Sequence, residues 1–157
     1  MTNNQMIINL QLACKNLHGL PNRKMFQSWV SAIFSVYKKK IELTVRIVDI
    51  KEMHYLNWYY LKKDYPTNVL SFPFTPPLEM RSPLLGDVVL CRQVIEYESK
   101  EKNVPGRSHW AHMIIHGSLH LLGYNHIVDE EAILMQRVER NILQQCGYRT
   151  CCHVAHN

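Results

Sequence analysis

The residues with the clearest chemistry are three histidines in the stretch His116-Gly-Ser-Leu-His120-Leu-Leu-Gly-Tyr-Asn-His126. Imidazole is a common zinc ligand, and helical positions i and i+4 lie about 40° apart around the axis. His116 and His120 therefore project side by side and can share one cation. Gly123 permits the backbone reversal that ends the helix and lets His126 return as a third ligand. Three neutral nitrogens leave a fourth tetrahedral position for water, as in a catalytic zinc site and unlike a closed structural one. Zinc would bring the pKa of that water to about 7. The expected cofactor is one Zn2+ per chain, held by His116, His120 and His126. H-x3-H spacing alone leaves coincidence competitive; a third histidine after a helix-ending glycine argues against it.

The same spacing occurs in metzincin peptidases, whose general base is a Glu directly after the first His. Gly117 occupies that position here, so peptide hydrolysis by that route is disfavoured. His112 sits one turn before His116 and reads first as a surface or packed histidine, with a role beside the metal or substrate as the alternative. His109 reads as first-turn surface. Cys151, Cys152, His153 and His156 have ligand chemistry, but following the last helix they read as a frayed terminus. Trp58, Tyr59 and Tyr60 beside Lys62 and Lys63 suit a base-stacking and phosphate patch. Core packing accounts for at least one of those rings equally well.

These side chains need a frame. Met6 to Leu12 alternates apolar and polar residues as a strand does. Pro21 and Asn22 open a helix carrying Phe26, Trp29, Val30, Ile33 and Tyr37, closed by Lys38–Lys40. Leu43, Val45 and Ile47 alternate as a second strand. Asp49 and Glu52 form a capping-box-like start for a helix with Met53, Leu56 and Tyr60. Val69 to Phe74, followed by prolines, predicts a short or edge strand, and Leu85 to Cys91 a fourth that runs into a helix through Val94, Ile95 and Tyr97. Ser108 is the expected cap of the histidine-bearing helix, and Gly123 its stop. A last helix starts at Asp129, with Ile133, Met135, Val138, Ile142 and Cys146 inward. The order β-α-β-α-β-β-α-α-α fits one α+β domain, a four-stranded mixed sheet packed with about five helices, the metal site at the end of one of them.

Composition sets the outer bounds. A chain of 157 residues with 46% hydrophobic and 20% charged content suits one globular domain. No apolar run approaches the roughly 18 residues of a membrane span, and residues 1–12 lack the features of a signal peptide. Nothing directs the chain out of the cytoplasm. Five cysteines, an odd count, imply no disulfide framework. The net charge of +5 and pI near 9.0 favour an anionic partner, without naming one.

Four segments in order carry a family resemblance: Leu56-Asn57; Lys63-Asp64-Tyr65-Pro66-Thr67-Asn68-Val69-Leu70-Ser71-Phe72-Pro73; Leu85-Gly86-Asp87-Val88-Val89-Leu90-Cys91; and the His116–His126 motif. The chain resembles the YbeY endoribonucleases, which act in ribosomal RNA maturation. The resemblance implies a cytoplasmic α+β metalloprotein domain, set at residues 1–149. It leaves the last few residues uncovered, and the tail over 150–157, which follows the last helix, is expected to be disordered. It also implies zinc on the three histidines and cleavage of single-stranded RNA in small-subunit maturation and ribosome quality control. Ribosomal proteins or the small subunit are implied as further partners, and no membrane is. Three positions depart from the family's pattern. Leu61 stands where the family typically has an arginine thought to assist cleavage, and Asn68 and Asn125 replace aspartates. Lys62 and Lys63 are the residues left to meet a phosphate, as point charges without Arg's bidentate fork. The Leu61 departure keeps a second reading open: a metal-stabilised ribosome-assembly factor that binds RNA or ribosomal proteins without efficient cleavage.

Overall fold

Leu43, Val45 and Ile47 alternate with Thr44 and Arg46, the period-two pattern of a strand with unlike faces. That strand is central to the sheet. The computed structural model describes residues 6–34, 40–80, 82–125 and 127–148. Its elements run β1 (Met6–Ala13), α1 (Arg23–Phe34), β2 (Ile41–Val48), α2 (Ile50–Leu61), β3 (Val69–Pro73), β4 (Leu84–Cys91), α3 (Arg92–Glu101), α4 (Gly106–Leu121) and α5 (Asp129–Gln145). The sheet order is β1-β2-β4-β3. β1 and β4 flank β2 in parallel, while β3 runs antiparallel along β4 at the edge. Pro73, which cannot donate to a ladder, is tolerated on that edge. Among the described residues, the single α+β domain, its mixed four-stranded sheet and its five helices match the sequence expectation.

The two sheet faces bury different helices. Leu43, Val45, Ile47, Val88 and Leu90 point into a large core shared with α1, α4 and α5. Val48, Leu70, Val89 and Cys91 point the other way, onto Met53 of α2. Asn22 caps α1 as expected, its Oδ1 accepting the Met25 N–H at 2.9 Å. α4 is the central helix: every residue from His109 to Leu119 is buried. It approaches the sheet closely because Gly117 has no side chain. A Cβ there would stand 2.7 Å from Val88 Cγ1, 3.0 Å from Val69 Cγ2 and 3.1 Å from Ser71 Oγ.

Three local expectations are corrected. The Asp49 carboxylate caps nothing on α2; it accepts the Lys15 N–H at 3.0 Å and the Gln93 amide at 2.7 Å. Glu52 pairs with Arg46 at 2.7 Å, so long-range partners outcompete the local box. α4 begins at Gly106 behind Pro105, leaving Ser108 inside the first turn, not capping it. Ile133 is exposed, since it lies two residues, about 200° around the axis, from buried Met135. Tyr37, Lys38, Lys39, His126 and residues 149–157, including the Cys/His tail, lie outside the described residues. Among the described residues no helix is long and apolar enough to cross a membrane.

Candidate metal centre

α4 presents four histidines on one stripe, His109, His112, His116 and His120, at the i, i+3, i+7, i+11 spacing of a helix face. Successive rings meet edge to face, with centroids 6.1, 6.5 and 4.6 Å apart. Two carboxylates, Glu139 buried and Glu98 partly exposed, hold this ladder from neighbouring helices. Glu139 of α5 accepts from His116 Nδ1 and, at 3.2 Å, from His112 Nε2. Glu98 of α3 lies 2.8 Å from His109 Nε2 and takes the Asn68 amide at 3.1 and 3.2 Å. His109, expected on the surface, is buried because α3 packs across the first turns of α4. His112 is a packed histidine, and its partner is the same carboxylate that holds His116.

The hydrogen bonds fix how the His116 and His120 rings point. A carboxylate and a backbone carbonyl can only accept, so His116 Nδ1 donates to Glu139 and His120 Nδ1 donates to the Tyr124 carbonyl at 2.9 Å. Each Nε2 then presents its lone pair, and the two Nε2 atoms face each other at 3.0 Å. Lone pairs so aimed repel unless a proton or cation lies between them. Nitrogen ligands on tetrahedral zinc stand about 3.3 Å apart, close to this separation. A histidine whose second nitrogen is held by a carboxylate or carbonyl is the usual supported zinc ligand. His116 and His120 therefore fit zinc, with His126 the expected third ligand from outside the described residues. Among the described residues no group of three or more His, Cys, Asp or Glu is arranged to hold a metal. Gly123, at φ +99°, makes the expected reversal after α4.

Burial works to raise the Glu139 carboxyl, but the hydrogen bonds it accepts from His112 and His116 prevail and hold it at about 2. Burial opposes ionisation of Glu98 likewise, and the bonds from His109 and Asn68 hold its carboxyl below the ordinary range.

The histidine pair opens onto a groove of about 810 Å³. β3 is an edge strand, so side chains from both sheet faces meet around it. Asn57, Tyr60 and Leu61 come from α2, His116, His120 and Met113 from α4, and Val69 to Pro73 from β3 itself. Asn57 braces the turn after α2 by donating to the Tyr65 carbonyl at 2.7 Å. The two candidate phosphate lysines part company. Lys63 lines the groove; Lys62, at φ 59°, turns back over α2, its Nζ bonded to the Tyr59 carbonyl at 3.1 Å. Leu61 is half-exposed on the groove wall and does not pack beneath its helix. Trp58, Tyr59 and Tyr60 are exposed, so core packing accounts for none of them.

Glu139 and Glu98 were not among the residues singled out from sequence. Glu139 had a signal: it falls on the buried stripe of α5 between Met135 and Ile142, where an acid needs a partner.

Comparison with known proteins adds to this geometry. The family model described as "Endoribonuclease YbeY" matches residues 11–147. A curated protein named "Endoribonuclease YbeY" from Blochmanniella pennsylvanica (strain BPEN) is 94% identical over 156 residues, covering 99% of each chain. One of the same name from Blochmanniella floridana is 61% identical over 148 residues, covering 94% of this chain and 97% of its own. A Thermotoga maritima protein solved in solution shares the fold at a TM-score of 0.56 and 22% identity, covering 90% of this chain and 92% of that one.

Proposed function

The chain belongs to the endoribonuclease YbeY family, and on that premise we propose that it is a zinc-dependent endoribonuclease of the cytoplasm. Its substrate in this reading is unpaired ribosomal RNA, cleaved during small-subunit maturation and ribosome quality control, with ribosomal proteins as further contacts. The observation that carries the reading is the facing pair of Nε2 atoms on His116 and His120, opening into a groove that also holds Lys63. Zinc bound there supplies Lewis-acid polarisation of a phosphoryl oxygen. Glu139 and the Tyr124 carbonyl keep the two imidazoles in one tautomer and one orientation. Lys63 offers a point charge to the phosphate backbone. No carboxylate follows His116, which supports RNA over peptide as substrate.

The direct test incubates zinc-loaded protein with single-stranded ribosomal RNA, beside a variant with His116, His120 and His126 all changed to alanine. Cleavage is expected with the first and not with the second. RNA affinity should fall steeply with salt as counterions are released. Casein should stay intact; proteolysis abolished by a chelator would reverse the ranking.

Leu61 supports a second experiment because it faces the groove. A guanidinium aimed at developing phosphate charge contributes about 2–4 kcal/mol to a transition state. Leu61→Arg is therefore expected to cleave RNA at least several-fold faster, with unchanged zinc content. Half-exposure leaves room for the longer side chain. A well-folded Leu61→Arg protein with no gain in single-turnover rate would show that Lys63 already serves the phosphate, or that the protein's task is binding.

A further inference from the structure

α2 leaves its largest side chains outside. Met53 and Asn57 are its buried residues, whereas Tyr55, Trp58, Tyr59 and Tyr60 are each 50–56% exposed. The three tyrosines form a continuous row, with Trp58 beside it on the same helix: Tyr55 stacks on Tyr59 at 5.7 Å, Tyr59 meets Tyr60 at 4.9 Å, and Tyr60 meets Phe72 of β3 at 4.9 Å. Contacts of this kind support a helix only slightly. They explain the pairs, and not why the row ends where it does. Tyr60 and Phe72 line the groove that holds His116 and His120, so the row runs from open surface to the candidate metal centre.

The charge along this row is positive. The Lys62 ammonium lies 5.6 Å from the Trp58 ring centre and 5.7 Å from that of Tyr59. The nearby acids are engaged: Asp64 by His54 at 2.7 Å, and Glu52 by Arg46. A partner that offers flat apolar faces alternating with negative charge matches both features. Unpaired nucleotides do, because every base has a π-face and every link a phosphate, whereas a duplex hides its base faces in its own stack. We propose that the exposed aromatic face of α2 is a base-stacking shelf, which receives unpaired RNA bases beside the scissile linkage while Lys62 meets the adjoining phosphate. This rests on the ribonuclease reading above and assigns its substrate-binding surface. It also gives Lys62 a place, outside the groove and on the shelf.

The shelf carries its own reporter. Trp29 and Trp110 are buried and Trp58 is half-exposed, so stacking on Trp58 quenches the exposed part of the tryptophan emission. Titration with an unstructured RNA of about a dozen nucleotides is expected to quench it, and the same RNA annealed to its complement is not. Trp58→Ala with Tyr59→Ala, both at exposed positions, should keep the wild-type melting temperature. The pair should bind the unpaired RNA about 10-fold or more weakly and raise KM for its cleavage correspondingly. A folded double variant that binds and processes unpaired RNA like wild type overturns the shelf and leaves the face to a protein partner. So does a wild type whose emission ignores unpaired RNA. Quenching without cleavage would instead sink the nuclease reading and keep the shelf, so the two failures are distinguishable.

Discussion

Glu139→Ala is expected to destabilise the protein by about 3–5 kcal/mol, because it removes the common acceptor of two buried histidines. The carboxylate is 3% exposed and bonded to both His112 and His116. Its loss strands two ring N–H donors away from water, each costing about 1–3 kcal/mol. For a chain of this size the melting temperature should fall by about 6–20 °C. Zinc affinity should fall by about 10- to 100-fold, since His116 loses the group that fixes its tautomer. Glu139→Gln keeps the volume but can accept from only one ring with its oxygen, and should lie between the two. The penalty also depends on pH in a set direction. A carboxyl held at about 2, against an ordinary 4.5, contributes its full stabilisation above about pH 5 and loses it as pH falls toward 2. The alanine variant should therefore approach wild type in acid. A Glu139→Ala protein with wild-type melting and wild-type competition for zinc would remove this carboxylate from the site.

What was legible in the sequence was what depends on neighbours along the chain. Helical geometry alone places His116 beside His120, and alternation alone builds β2, because both are set within a few residues. Glu139 and Glu98 reach the histidine stripe from other helices, 23 and 11 residues away, and no local period announces which acid meets which histidine. His109 was misplaced for a related reason. A histidine in a first turn is ordinarily wet, but α4 is enclosed by α1, α3, α5 and the sheet, and only tertiary packing reveals that. Asp49 shows the converse error: the capping box was present as a pattern, yet Lys15 and Gln93 hold the carboxylate. Leu61 was visible as a departure from the family pattern, while its place on the groove wall needed β3 to be an edge strand that joins both sheet faces.

Gly117→Glu is the substitution that would supply the base a metzincin-type peptidase needs, and it is expected to unfold α4 from the sheet instead. The first added atom already stands 2.7 Å from Val88 Cγ1 and 3.0 Å from Val69 Cγ2, closer than a packed interior allows. Gly117→Ala alone should cost about 1–3 kcal/mol through that overpacking, partly relieved if β3, at the sheet edge, shifts outward. Glutamate adds a carboxylate to an apolar seam where the Ser71 hydroxyl already donates to the Gly117 carbonyl at 2.8 Å. A buried, unpaired charge costs several kcal/mol more, enough together to consume much of the roughly 5–15 kcal/mol by which a domain is stable. The expected result is a cooperative melt lowered by more than 10 °C, with weakened zinc retention and no activity on casein. Gly117→Ala should be intermediate in melting and keep its zinc. A folded, zinc-loaded Gly117→Glu protein that cleaves peptides would overturn this account. The pattern expected here means that the contact of α4 with Val69 and Val88, and not the histidine spacing, keeps this chain from peptidase chemistry.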